Sequence, residues 1–280
     1  RPRHALFALI GLPVLLWSYW PALTQLVSHW LHEARYSHGL VVPLLALLVW
    51  WVRRREQPVT EIQSSWWGIP VLTSGAVLRL VGAYYYLDFF DGFSLLPVLW
   101  GLVLLLGGWP LCRQSAPAIG VLVFMLPWPF QVEGALSGPL QRLGTVVSTF
   151  SLQTLGLPAV SEGNIILIDN LEIGVLEACN GLGMLSAFFA ISTTVALVIH
   201  RPLLDRLAVF LSAVPIGVLM NLVRLTATGL LYALVGAPAA QLFFHNLAGW
   251  LMMPLALAAV GAELYLLRRL FPVRGASGTA

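Results

Sequence analysis

Long apolar runs separated by short polar segments dominate the chain. Windows of about 20 apolar residues, bounded by charged or turn-forming residues, are typical of helices that cross a lipid bilayer. We assign eight such spans. They lie near 5–27, 39–52, 67–87, 93–112, 114–130, 182–199, 207–230 and 247–267. The pattern therefore predicts an all-α polytopic membrane protein that forms one integral membrane domain over residues 1–280.

The segment 131–178, between spans five and six, has a different pattern. Apolar residues at helical spacing over Gly134–Leu155 predict an amphipathic helix that lies on the outer surface. Beyond Pro158, the apolar runs Ile165–Ile168 and Leu171–Leu176 predict short strands around an Asp169-Asn170 turn. We expect a small extracytoplasmic helix-plus-strand segment here, where a polypeptide substrate could be held.

Composition supports the bilayer and excludes other classes of protein. The chain is 59% hydrophobic and 10% charged, whereas about 25% of the residues of a soluble domain are charged. The basic residues are dispersed among loops, so nucleic acid is not expected as a partner. The two cysteines, Cys112 and Cys179, are far apart and have no metal-binding spacing. We expect no metal and no cofactor.

Arginine positions predict the orientation in the membrane. If the spans alternate, one side of the membrane receives Arg1, Arg3, Arg53, Arg54, Arg55, Arg113, Arg201, Arg206, Arg268, Arg269 and Arg274. The other side receives only Arg35 and Arg142, together with most of the acidic residues outside the spans. The positive-inside rule then places both termini in the cytoplasm.

Three polar residues are predicted to converge near the outer surface. Cys179 precedes span six, and His245 precedes span eight. Arg224 lies about 17 residues into span seven, which is roughly 25 Å along a core about 30 Å thick. All three are therefore expected at one depth in the outer leaflet. Asn221 is one helical turn from Arg224 and could orient it.

The chemistry of these residues suits acyl transfer through a thiol. A helix N-terminus favours the thiolate of Cys179, and Gly181 leaves room for a substrate backbone. His245 can carry the proton. Arg224 can stabilise a tetrahedral oxyanion or hold the substrate. Cys112 has no such surroundings and is expected to be inert.

Plainer explanations exist for each residue. A cysteine at a span end is usually a small packing residue, and a histidine near the interface is commonly an interface residue. An arginine inside a span is costly and points to function, but it can also pair with carbonyl or acidic groups. For Arg79 in span three, a substrate role and a structural role are both open.

Several motifs, in order over nearly the whole chain, resemble the exosortase/archaeosortase family of membrane cysteine transpeptidases. Each fragment is short, but their order on an eight-span frame is specific. They are Tyr36-Ser37-His38-Gly39, Met125-Leu126-Pro127-Trp128-Pro129, Glu162-Gly163-Asn164-Ile165, Glu177-Ala178-Cys179, Asn221-x-x-Arg224 and His245-x-x-x-Gly249-Trp250.

The resemblance implies catalytic Cys179, Arg224 and His245. We add five supporting or substrate-binding residues that lie in or beside these motifs, namely Asn221, Asn180, Gly181, Glu177 and Asn164. The implied substrates are secreted proteins with a C-terminal sorting signal, a transmembrane helix and a basic tail. The implied location is the inner membrane of a bacterium, with the site facing outward and a glycan or a lipid as candidate acceptor.

The chain departs from the family pattern at two places. The cysteine is followed by Asn180-Gly181-Leu182-Gly183, where many exosortases carry Ser-Gly-Leu-Arg. Ser161 stands where an arginine commonly precedes Glu-Gly-Asn.

Three other functions stay open at this point. One is proteolysis without transfer, because water and an amine attack the same thioester. Another is a transporter or lipid carrier in which Arg79 and Arg224 bind an anionic substrate. The third is a non-catalytic membrane scaffold.

Overall fold

The structure is a computed structural model that describes residues 2–59, 62–168, 171–174, 181–236 and 248–270. Helices account for most of these residues, and a small sheet follows the sixth α-helix. The α-helices are α1 Pro2–His32, α2 Val42–Glu56, α3 Gly68–Tyr85, α4 Asp88–Phe93, α5 Leu95–Val121, α6 Phe130–Thr154, α7 Leu182–Val198, α8 Leu203–Leu211, α9 Ala213–Leu234 and α10 Ala248–Leu270. Two 3-10 helices span Ala34–Leu40 and Leu122–Met125, and the strands are β1 Ala159–Glu162, β2 Ile165–Ile168 and β3 Leu171–Gly174.

Three helical stretches in the described part of the chain are long and apolar enough to cross a membrane. They are Arg35–Glu56, Asp88–Met125 and Leu203–Leu234, and Leu182–Val198 is a shorter apolar helix. The predicted class, a mostly helical membrane protein with a small sheet, is confirmed. The count of eight spans stays a prediction.

The chain divides into two compact units, Arg1–Trp128 and Pro129–Ala280. In the first unit, α3 packs closely against the beginning of α5. A Cβ atom added at Gly75 would lie 2.6 Å from the Val98 side chain, and one added at Gly68 would lie 2.5 Å from the Gly101 carbonyl oxygen. These contacts run in opposite order along the two helices, so α3 and this part of α5 are antiparallel.

Helix α5 is interrupted at Gly108, whose φ of 71° and ψ of −165° are not helical. After this break the Gln114 side chain donates a hydrogen bond to the Gln57 carbonyl, and the Phe124 carbonyl interacts with His38 Nε2 at 3.1 Å. The second arm of α5 is therefore antiparallel to α2. Two helical arms were predicted here as spans 93–112 and 114–130. Helices occur on both sides of the break, which falls at Gly108 and not at 113, because only glycine readily adopts this conformation. That each arm crosses the membrane separately stays a prediction.

In the second unit, α9 is flanked by α6 and α7. A Cβ at Gly217 of α9 would lie 3.4 Å from Leu185 Cα. The Gly181 position at the start of α7 lies against Asn221, so α7 and α9 are antiparallel. On the other flank, Gly144 of α6 is close to Leu225, and Gly229 of α9 is close to Leu152. Residue numbers increase in the same direction along both helices from the first contact to the second, so α6 and α9 run parallel.

The three strands form one antiparallel sheet in the order β1-β2-β3. Ala159 pairs with Ile168, and Ile165 pairs with Gly174. The inward side chains form a core with Leu152 of α6 and Leu225 of α9. The two predicted strands are confirmed as β2 and as Leu171–Gly174 of the predicted 171–176. Strand β1 was not predicted, and the Asp169-Asn170 turn lies outside the described residues.

Candidate functional site

Arg224 and Asn221 lie on one face of α9, separated by one helical turn. Arg224 Nη2 donates a hydrogen bond to Asn221 Oδ1 over 2.9 Å. Asn221 is buried, with only 4% of its surface exposed, whereas Arg224 is half-buried. A buried amide has few alternative conformations, so it can fix the direction of the guanidinium. This is the arrangement that their spacing predicts.

Gly181 brings the beginning of α7 against the same amide. It caps the helix in the left-handed conformation, with φ 84°, which glycine adopts without the steric penalty of a Cβ atom. A Cβ at this position would lie 2.8 Å from Asn221 Nδ2. The close approach therefore depends on glycine. It places Gly181, two positions after Cys179 in the sequence, next to Asn221.

A cleft opens beside these residues. The space it encloses is small, about 10 Å³, close to what one water molecule needs. Its walls are mainly apolar, and the Asn221 side chain supplies a polar group. The lining side chains include Leu140 and Leu143 of α6, Leu185 of α7, and Val218, Asn221 and Leu222 of α9.

Asn164 lies between β1 and β2 and connects the sheet to a wall of the cleft. Its Nδ2 atom donates a hydrogen bond to Gln141 Oε1 over 2.8 Å. Gln141 is buried on α6, directly after Leu140 of the cleft. Sequence reasoning missed Gln141. The available signal was a polar residue between the apolar positions Leu140 and Leu143 of the predicted amphipathic helix.

Four predicted site residues, Cys179, His245, Glu177 and Asn180, lie outside the described residues. The structure thus brings together Gly181, Asn221 and Arg224. Asn164 lies nearby, hydrogen-bonded to Gln141 of α6. No cluster of three or more His, Cys, Asp or Glu side chains suited to a metal ion occurs in the described ranges.

Arg79 belongs to the first unit, where protein groups engage its guanidinium. It forms an ion pair with Asp91 over 3.2 Å and hydrogen bonds to the Ser18 hydroxyl and carbonyl. Its Cζ atom also lies 4.2 Å from the centre of the Tyr19 ring. These contacts favour a structural role over substrate binding. Cys112 is a buried free thiol on α5.

Comparison with known proteins gives one match. The family model described as transmembrane exosortase, of the EpsH type, matches residues 30–262. No curated protein and no solved structure matches the chain. The matched range includes the Asn221–Arg224 pair, Gly181 and both arms of α5. Since the match covers most of the sequence, the chain belongs to the transmembrane exosortase family.

Proposed function

We propose that this protein is a membrane-embedded cysteine protease and transpeptidase. It cleaves C-terminal sorting signals of secreted proteins through a thioester on Cys179 and transfers the new carboxyl end to a surface acceptor. The observation that carries the proposal is the contact of Gly181 with the Asn221–Arg224 pair. It brings Gly181, which follows Cys179 by two positions in the sequence, next to the amide that holds the Arg224 guanidinium, in a chain of the exosortase family.

The reaction follows the chemistry of these side chains. The Cys179 thiolate attacks the carbonyl carbon of the sorting signal, and the tetrahedral oxyanion is stabilised by Arg224. His245 donates a proton to the leaving amine, so the peptide bond breaks and a thioester remains. An acceptor nucleophile then loses its proton to His245 and attacks the thioester, which releases Cys179.

Asn221 orients Arg224 before the substrate binds, and Gly181 leaves room beside them. Asn221 accepts a hydrogen bond from the guanidinium of Arg224, so less orientational freedom is lost when the oxyanion forms. Gly181 carries no side chain at the point of closest approach. Because a guanidinium presents donors in a fixed fork, lysine at position 224 would retain the charge but lose this geometry.

The proposed setting is the inner membrane of a bacterium, with eight spans, both termini in the cytoplasm and the site facing outward. Its support is the distribution of arginines together with the membrane-capable helices. The substrate's own transmembrane helix would hold its sorting signal at the depth of the site. A glycan or a lipid is the proposed acceptor.

Among the alternatives, the structure gives the transporter or lipid carrier less support. That function needs Arg79 as part of an anion site, and this side chain already engages Asp91, Ser18 and Tyr19. Proteolysis without transfer remains the second candidate, because water can replace the acceptor at the thioester.

Mass spectrometry of a substrate's new C-terminus tests the proposal. The substrate is a co-expressed secreted protein with a C-terminal signal, a transmembrane helix and a basic tail. The intact protein should produce a defined new end that carries an acceptor, Cys179→Ala should abolish it, and Cys112→Ala should preserve it. A free carboxyl end would favour simple proteolysis. Unchanged cleavage in Cys179→Ala would refute the assignment of the nucleophile.

A further inference from the structure

The loop between β1 and β2 determines the direction of the backbone hydrogen bonds in the sheet. It has two residues, and the first of them, Gly163, has a φ of 59°. In a two-residue hairpin the residues on either side of the loop, here Glu162 and Ile165, bond to each other through their backbones. Bonded and non-bonded pairs alternate along antiparallel strands. The backbone groups of Ile165 therefore face β1, and those of the next residue, Ile166, face β3.

The same alternation gives β3 an outward edge. Ile166 pairs with Ile173, so the backbone groups of Ile173 face β2. Those of its neighbours, Glu172 and Gly174, then face away from the sheet. Within the described part of the chain, no hydrogen bond reaches these outward groups. Two N–H groups and two C=O groups thus form a template on which another strand can pair.

The opposite edge of the sheet, along β1, is partly closed. The Ala159 amide donates a hydrogen bond to the Leu157 carbonyl over 2.8 Å, and the Ala159 carbonyl accepts one from Gln153 Nε2 of α6 over 2.7 Å. Both outward backbone groups of this residue are therefore already in use. An added strand would find its hydrogen-bonding groups along β3 and not along β1.

The position of β3 in the chain connects its outward edge with the candidate site. Gly174 precedes Cys179 by five positions, which is at most about 18 Å of extended chain. The sheet itself rests on α9, where Leu225 packs with Ile166 in one core, and Leu225 is the next residue after Arg224. A polypeptide held along β3 is thus within a few residues' length of the groups proposed to act on it.

An extended polypeptide is the partner that matches this edge. It offers N–H and C=O groups at the spacing of Glu172 and Gly174, and main-chain hydrogen bonds of this kind give affinity in strand addition. A helical segment cannot replace it, because the backbone groups of a helix are already paired with each other. A strand also presents its side chains alternately on two faces, so its backbone stays accessible to the sheet.

We propose that the part of the substrate around the scissile bond binds in extended form along β3, as a fourth strand of the sheet. The backbone groups of Glu172 and Gly174 bond to the substrate's backbone, and the sheet holds the scissile carbonyl in place for attack. This inference rests on the proposed function, since it specifies how the substrate of that reaction is bound. It assigns the main chain of β3 a role in positioning the substrate.

Proline substitution tests the hydrogen bonds of the edge. Glu172→Pro removes an outward N–H but no bond to β2, which an edge strand tolerates. It should slow cleavage of the substrate by purified protein in detergent by about 5- to 100-fold. Glu172→Val keeps the N–H and should retain more activity than Glu172→Pro. Ser161→Pro removes an outward N–H from β1 and should leave the rate unchanged.

Cross-linking tests the extended form of the bound substrate. Glu172→Cys is introduced into the full chain carrying Cys112→Ala and Cys179→Ala, and single cysteines replace successive substrate residues around the cleavage position. A short bifunctional thiol reagent should link position 172 to every second substrate position, because alternate side chains of a strand share one face. Val160→Cys is the matched control. Val160 lies in the same row of the sheet but about 14 Å, three strand spacings, from an added strand.

Slower cleavage in Glu172→Pro, together with cross-links at alternate positions, would support the inference. Cross-links at consecutive positions, or none, would overturn it, and so would Cys179-dependent cleavage at the normal rate in Glu172→Pro. If size-exclusion profiles show that Glu172→Pro does not fold, the cross-linking pattern alone decides. Cleavage that persists in Cys179→Ala would instead refute the proposed function itself, and the inference with it.

Discussion

Asn221 has two close neighbours at the candidate site, the guanidinium of Arg224 and the backbone at Gly181. A hydrogen bond between a neutral and a charged group contributes about 1.5–3 kcal/mol. If it orients Arg224 in the transition state, Asn221→Ala should slow substrate processing by about 10- to 100-fold. The measurement is the rate of cleavage by purified protein in detergent.

A control and a rescue separate orientation from packing. Val223→Ala alters an exposed neighbour on the same helix and should leave the rate unchanged. Asn221→Asp retains an acceptor oxygen for Arg224, so it should recover part of the activity that Asn221→Ala loses. An equal loss of activity in Asn221→Ala and Asn221→Asp would contradict an orienting role of Asn221.

Gly181 gives a second prediction at the scale of one residue. Gly181→Ala places a Cβ in the left-handed region and 2.8 Å from the Asn221 amide. Gly156 has a similar φ of 88° but open space around it. Gly156→Ala should therefore cost only the strain of the backbone, about 1–2 kcal/mol. Gly181→Ala should lower the thermal stability in detergent and the rate of substrate processing, both by more than Gly156→Ala does. Similar effects of the two substitutions would show that the contact with Asn221 is unimportant.

At the scale of elements, the break in α5 depends on Gly108. A Cβ there would lie 1.7 Å from the Gln63 carbonyl oxygen, and the backbone carries a φ of 71°. Because the backbone oxygen cannot move away easily, Gly108→Ala should sharply reduce the yield of folded protein. Gly120 lies in the second arm of α5 with nothing within 4 Å, so Gly120→Ala should be tolerated. Size-exclusion profiles in detergent measure the yield of folded protein for both variants. A normal profile for Gly108→Ala would contradict this account of the break.

Sequence patterns predicted those elements whose signals are local. Long apolar runs indicated the helices, and the apolar Ile165–Ile168 run indicated β2. Strand β1 has no such run, because Ser161 and Glu162 are polar and it is held in place by pairing with β2. The break of α5 was placed at Arg113, since a charge marks a span end, but the conformation at Gly108 determines it.

At the candidate site, too, sequence patterns predict local contacts but not contacts between elements that are distant in sequence. The hydrogen bond between Asn221 and Arg224 follows from their helical spacing. The contact of Gly181 with Asn221 and the bond between Asn164 and Gln141 require packing between elements distant in sequence, which spacing alone does not encode. The catalytic assignments of Cys179 and His245 stay predictions.

For the whole molecule, orientation is the property most open to test. The arginine distribution predicts eight spans with cytoplasmic termini. Reporter fusions at Ser161 and at Gly275 should therefore read outside and inside, respectively. An alkaline phosphatase fusion is active only outside, and a green fluorescent protein fusion exported through the general secretory pathway is fluorescent only inside. The same reading at both positions would refute the predicted topology.

The hydrogen bond between Asn164 and Gln141 makes the sheet and the cleft wall mechanically dependent on each other. The sheet also shares its core with Leu152 of α6 and Leu225 of α9. Its amide protons should therefore exchange with deuterium in step with those of α6, as one cooperative unit. A polypeptide that displaces the strands while this bond persists would draw Leu140 with them. A change in the position of the strands would therefore also change the width of the cleft.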